Sequence, residues 1–268
     1  MTWTPIEGTL GEVLAREAQP FEALAVGEIP AVVLRQAFPI AQCRAVVRRL
    51  YERGNILERE GITYDAVGTS LVNLGAEPGV FFAHARETHA LYSHLFEGLQ
   101  HPVEFVYESL QALAPDQRVE VAHEPDGRLY GPAIFRIYRA GKGHHPHFDS
   151  LRLREEWSRY AAARFPYQLA SILCLQTAEP DPDSGECTLY HQFWSPELQP
   201  LQQDGAFYHY AAEHRIERTR IELQAGDFYV FNPLNIHEVP PIQGETPRIV
   251  LATFIGFSPD EETVFVWS

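Results

Sequence analysis

The pattern of apolar and polar positions changes character near residue 130. Before it, apolar residues recur mainly at helical spacing. Ala41, Ala45, Val46 and Leu50 fall near one face of a segment that Pro39 opens and Gly54 ends, which predicts a helix from about Ile40 to Arg53. Thr9 to Ala18 reads as a short surface helix, and Arg86 to Leu113 as two helices broken at His101-Pro102. One strand, Ala31 to Phe38, is apolar and β-branched. Between the helical blocks, Gly61 to Gly79 is rich in Gly, Thr, Ser and Asn. It reads as a loop, either a plain surface connection or the cover of a pocket, with Tyr64 and Asn73 as its polar candidates.

After residue 130 the period shortens to that of strands. Ala133 to Arg139 is followed by a Gly-rich turn and the segment ending His147-Phe-Asp149, then by a charged stretch, Leu153 to Arg164, expected to be helical. Strands are expected at Gln168–Gln176, Glu186–His191, Arg215–Leu223, Asp227–Phe231, Arg248–Phe257 and Thr263–Trp267. Turns at 180–185, 225–227 and Pro240-Pro241 separate them. About eight short strands in one block predict an α+β fold, mainly β. The expected core is a double-stranded β-helix, a cupin-like jelly roll, with helices packed outside. No repeat or linker marks a boundary, so one domain is expected over 1–268. Residues 1–129 form its mostly helical part and 130–268 the core.

Composition narrows the partners. The chain has 268 residues, 45% hydrophobic and 12% aromatic, as a folded globular protein has. With 36 acidic against 21 basic residues its formal charge is −15, which disfavours phosphate backbones and anionic lipid. No nucleic acid and no membrane is expected as partner, and the oligomeric state is open. The first residues show no basic-then-apolar leader pattern, and no apolar run is long enough to span a bilayer. Cys43, Cys174 and Cys187 are few and odd in number, which suits buried thiols of a cytoplasmic protein better than a disulfide framework.

The chemistry centres on His147-x-Asp149. Residues i and i+2 of a strand face the same side, so both reach one metal ion, and His237 is the candidate third ligand. Two imidazoles and one carboxylate on one face of a metal are the ligand set of non-haem Fe(II) oxygenases. In a chain with 12 histidines that motif alone is weak. Context strengthens it: Arg248 opens the strand after His237, where a guanidinium can grip a carboxylate through two parallel hydrogen bonds.

The order His-x-Asp, distal His, then Arg about ten residues on resembles the Fe(II)/2-oxoglutarate-dependent dioxygenases. Tyr138-x-x-Gly141 leading to Pro146-His147-Phe-Asp149 is similar to the same region of prolyl-4-hydroxylases. The widest likeness, from about Phe38 to the C-terminus, is to the free-standing halogenases of hapalindole and welwitindolinone alkaloids. It is carried by Tyr130-Gly-Pro-Ala133, Gln168-Leu169, Ser184-Gly-Glu186 through Trp194, Leu223-Gln-Ala-Gly-Asp227 and Val266-Trp-Ser268. The departure is Asp149, where those halogenases carry Gly.

The resemblance implies Fe(II) on His147, Asp149 and His237, with 2-oxoglutarate anchored on Arg248 and O2 as the second cosubstrate. The reaction implied is hydroxylation of a small molecule, with release of succinate and CO2. Tyr138, His144 and Gln168 are further candidates for cofactor contact. A packed core ring remains the other reading of Tyr138, and a solvated side chain the other reading of its strand neighbour Arg136. Desaturation, epoxidation or halogenation at the same iron would use the same residues. A non-catalytic jelly-roll binding protein is the reading from another class. A zinc hydrolase finds no His-Glu-x-x-His motif here.

Overall fold

The computed structural model describes residues 3–58, 63–179, 185–202 and 205–268. Most of the turn expected at 180–185, and the start of the loop expected at 61–79, lie outside the described residues. Among the described residues two β-sheets form, one of nine strands and one of four.

The large sheet gathers strands from both ends of the chain. Ile6–Gly8 and Ala31–Leu34 lie at one edge, and Thr263–Trp267 and Arg118–Val121 at the other. Its centre is Arg248–Phe257, which pairs antiparallel with Tyr167–Gln176 on one side and with Ile134–Tyr138 and Thr263–Trp267 on the other. This strand is buried along its whole length because the sheet is covered on both faces. Ile249, Leu251 and Ile255 pack into the cluster beneath the helices with Val46, Leu50, Val106 and Leu110. Val250, Ala252 and Phe254 face the other way and pack with Leu189 and Ile221 of the second sheet. Arg248 shares that inner phase.

The expected helix around residues 40–53 is present as Ile40–Arg53, burying Cys43, Val46 and Leu50 on one face. The first helix, Leu10–Arg16, starts on a reciprocal capping box between Thr9 and Glu12. Pro78–Leu95 begins earlier than the expected Arg86, since Pro78 occupies the first helical turn. Its successor, Pro102–Leu113, is capped by the His101 side chain. Three expectations fail in detail. Leu153 to Arg164 is not an α-helix but two 3-10 pieces, Glu155–Trp157 and Ala161–Arg164, which turn Trp157, Tyr160 and Ala162 inward. The described part of the 61–79 loop contains a strand, Asp65–Gly68, paired with Ile134–Tyr138, and a one-turn helix, Leu71–Leu74. The small sheet contains a strand at Asn235–Val239, in the order His144–His147, Asn235–Val239, Cys187–Phe193, Arg218–Ile221.

The Gly226-Asp227 turn fixes the approach to this region. Gly226 has φ +95°, and a Cβ there would lie 2.2 Å from the Phe38 carbonyl oxygen, so only glycine fits. Buried Asp227 then accepts from the backbone N–H groups of Gln36 and Gln224 and from the Arg35 guanidinium. No helix is long and apolar enough to cross a membrane among the described residues, and Cys43, Cys174 and Cys187 are free and buried.

Candidate metal centre and cosubstrate pocket

Strand pairing brings the two histidines together. His147 ends its strand, His237 is the middle residue of Asn235–Val239, and the two are cross-strand partners. Directly opposed residues share a face, and their ring centroids are 4.2 Å apart. Asp149 lies two residues beyond the strand, where its N–H donates to the Pro233 carbonyl at 2.9 Å. Its Oδ2 lies 3.9 Å from His147 Nε2 and 3.8 Å from His237 Nε2. A metal bonding each atom at about 2.1 Å spans up to about twice that between ligands, so the set closes on one ion with small side-chain rotations. Among the described residues this is the single cluster of three such groups within metal-binding reach.

Both imidazoles are held in the tautomer a metal needs. His147 Nδ1 donates to the His145 carbonyl at 2.7 Å, and His237 Nδ1 donates to the Asn235 carbonyl at 2.9 Å. A carbonyl only accepts, so the proton is on Nδ1 and the Nε2 lone pair faces Asp149. Burial, then the neighbouring His147, pulls His237 down to about 3, so it is neutral at ordinary pH. Burial alone would push Asp149 up, but His147, His237 and Arg136 together hold it below the usual carboxylate range. Phe231 stands edge-on to His237, with centroids 5.2 Å apart.

Arg248 is 3% exposed and opens its strand opposite Tyr138. Its guanidinium carbon is 5.6 Å from the Tyr138 ring centroid. No carboxylate lies within ion-pair distance of it among the described residues. Glu186, whose field reaches it, is instead raised by burial and keeps Oε2 without a partner. Arg248, Tyr138, His144 and the triad line one narrow cavity. His144 stands 5.0 Å from His147, ring to ring, and its buried Nε2 has no partner. Burial, then His147, lowers it to about 2, so its ring is neutral. Gln168 lies elsewhere: it lines a neighbouring cavity, and its Oε1 accepts from Leu151 N–H at 2.7 Å.

Two residues, one lining this cavity and one packed behind its wall, bear on the site more directly than the sequence settled. Arg136 is not solvated; it lines the cavity with a buried, unpartnered Nε and sits 5.0 Å from the Tyr64 ring. Tyr64 also packs against Tyr138 and His144, at 5.5 and 5.9 Å, so the segment leading into Asp65–Gly68 covers this wall. The alternation of Arg136 and Tyr138 with Phe135 and Ile137 was the available signal for the first. For Tyr64 the signal was its place in the 61–79 loop, one reading of which was the cover of a pocket.

Fold and site together define a non-haem iron/2-oxoglutarate oxygenase. The chain belongs to the family described as carrier-protein-independent halogenase WelO5, which matches residues 11–268. Among solved structures it is similar to the N-substituted L-amino acid dioxygenase from Burkholderia ambifaria AMMD. That match has 17% identity and a TM-score of 0.62, and covers 94% of this chain and 91% of that one. It is also similar to HygX from Streptomyces hygroscopicus, solved with nickel and 2-oxoglutarate bound, at 12% identity and a TM-score of 0.55, covering 92% and 89%. At these identities the likeness shows a shared fold. A sequence search of curated proteins finds no match.

Proposed function

We propose that this protein is an Fe(II)- and 2-oxoglutarate-dependent hydroxylase of an unactivated C–H bond in a small molecule, working as one domain with a jelly-roll core. The observation that carries the reading is the Asp149 carboxylate, 3.8–3.9 Å from both Nε2 atoms. Iron(II) there supplies activation of O2 coupled to decarboxylation of 2-oxoglutarate, which releases succinate and CO2 and oxidises the substrate carbon.

The residues divide that work. His147, Asp149 and His237 would hold the ion at the wall of the cavity they line. Arg248 takes the far carboxylate of 2-oxoglutarate. A buried guanidinium without a protein partner is costly, and a dicarboxylate supplies the missing charge. Tyr138 packs against the guanidinium, and the unpartnered nitrogens of Arg136 and His144 give the cosubstrate polar contacts nearer the triad. Ile172, Phe231 and Ala252 keep the cavity wall dry. Small-molecule substrates agree with what fold-mates bind: HygX has been solved with hygromycin B.

Hydroxylation rather than halogenation follows from Asp149. A halide entering beside it would meet a second negative ligand about 4 Å away. Relative to a site without the carboxylate, that costs about 4 kcal/mol at an effective dielectric near 20. Turnover of a metabolite panel with Fe(II), 2-oxoglutarate and O2, in chloride or bromide, is expected to release succinate and add one oxygen to the product. Asp149→Gly is expected to lose that product. A halogenated product from the unaltered protein would overturn the assignment, and absent succinate with every candidate would point to a non-catalytic binding protein.

A further inference from the structure

A second cavity, of about 300 Å³, meets the metal centre at Asp149, the one described residue that lines both. Its size is at the lower end of small-molecule sites. Leu151, Ala162, Phe165, Leu234 and Trp267 make its walls apolar. At its rim stand Val26 and Leu153, 54% and 42% exposed, two of the large apolar side chains left in solvent. Exposed apolar groups gathered at the mouth of an apolar chamber mark a place where a ligand covers them.

Most polar groups of this lining are already committed. Asn232 Nδ2 donates to the Leu24 and Ala25 carbonyls, and its Oδ1 accepts from Leu234 N–H. Ser150 Oγ accepts from Leu153 N–H. The Gln168 amide is oriented by Leu151 N–H, which must meet its oxygen, so its NH2 is the free end. Apart from the Ser150 and Tyr167 hydroxyls, and the Asp149 carboxylate at the inner end that belongs to the metal centre, the side-chain capacity left is donor: Gln168 Nε2 and the Arg152 guanidinium. Arg152 is exposed at this lining. Among the described residues it makes no hydrogen bond or ion pair. On a chain of net charge −15 it sets a positive group at this lining.

We infer that this cavity is the substrate chamber and that it takes an apolar carboxylic acid, its hydrophobic body between Leu151, Phe165, Leu234 and Trp267 and its carboxylate on Arg152. The word substrate rests on the oxygenase reading above; the ligand class rests on the lining alone. The body then lies against Asp149, so oxidation falls on the apolar part of the molecule, away from the acid group.

Three probes with one body and different heads test this: 2-naphthylacetate, 2-naphthylacetamide and 2-naphthylethylamine. Each is titrated by calorimetry into the metal-free protein and into the anaerobic protein loaded with Fe(II) and 2-oxoglutarate. The carboxylate is expected to bind about threefold to tenfold tighter than the amide, the range of one charge-assisted contact at a partly exposed site, and the amine weakest. Arg152→Glu should reverse the order of acid and amine. Ala163→Trp, which fills the chamber, should abolish binding of all three while the iron–2-oxoglutarate charge-transfer band persists. Equal affinities, a preference for the amine, or no binding of any probe to a protein that shows the band would overturn the inference. A missing band with the acid preference intact would overturn the oxygenase reading and leave the acid-binding chamber standing.

Discussion

Arg248–Phe257 of the large sheet and Asn235–Val239 of the small one are both buried throughout, yet they bury opposite kinds of side chain. In the first, both phases are apolar except at Thr253, whose hydroxyl pairs with that of Ser171, and at the inner end, where Arg248 stands. In the second, His237 points into the site between Asn235 and Val239, while Ile236 and Glu238 face the cluster around Tyr190 and Phe207. The large sheet is a frame whose packing holds two charges on its cavity side, Arg248 and Arg136. The small sheet carries the metal ligands on backbone hydrogen bonds and tolerates a polar interior because an ion completes it. Stability and chemistry are therefore expected to separate by sheet.

Arg248→Leu is the strongest test, because it removes the more deeply buried of the frame's two inner charges. In the ligand-free protein the change exchanges a buried, unpaired cation for an apolar side chain, so the melting temperature should hold or rise. A bound 2-oxoglutarate carboxylate loses its partner, at a cost on the order of 3–5 kcal/mol, a hundredfold or more in affinity. Titration of the iron–2-oxoglutarate band reads the second effect, and unchanged affinity would place the cosubstrate anchor elsewhere.

Leu251→Ala and His147→Ala sharpen the contrast. Leu251 is 1% exposed beneath the helices, so truncation should cost about 2–5 kcal/mol in denaturant unfolding and leave the metal affinity of the folded fraction intact. His147 is half-buried at a strand end, and its loss should remove stoichiometric metal binding while changing stability by about 1 kcal/mol or less. Equal destabilisation by the two would erase the distinction between frame and site.

That distinction also explains what the sequence made legible. Arg248–Phe257 and Thr263–Trp267 are long β-branched and aromatic runs, and strands buried on both faces announce themselves that way. His147 and Asp149 were readable because the motif is local. The Asn235–Val239 strand was not: Asn, His and Glu are three of its five residues, and prolines flank it at 233 and 240. Its burial depends on non-local pairing with His144–His147 and Cys187–Phe193. The 3-10 pieces after Leu153 were missed because Trp157 and Tyr160, three residues apart, also suit a helical stripe. Helix Ala206–Glu213, which buries Phe207 and Ala211, passed unnoticed because one turn of apolar spacing is too short a signal.

The smallest expected effect lies on the outer face of the metal-bearing strand. Glu238 follows His237 but points away from the cavity, where it accepts from the Tyr190 hydroxyl at 2.7 Å and the Tyr208 hydroxyl at 2.5 Å. The pair ties this strand to Cys187–Phe193 and to helix Ala206–Glu213. Glu238→Gln keeps the shape but leaves one oxygen to accept where two did. Tyr190 is 1% exposed and should keep that oxygen, whereas Tyr208, 41% exposed, can turn its hydroxyl to water. The unmet bond therefore falls on the group that water can satisfy, and the loss should be about 1 kcal/mol of unfolding free energy. Because His237 is oriented by the Asn235 carbonyl and not by its neighbour, metal affinity and the energy of the charge-transfer band should not move. A shifted band with unaltered stability would mean that the outer face tunes the metal after all, and that frame and site are not divided by sheet.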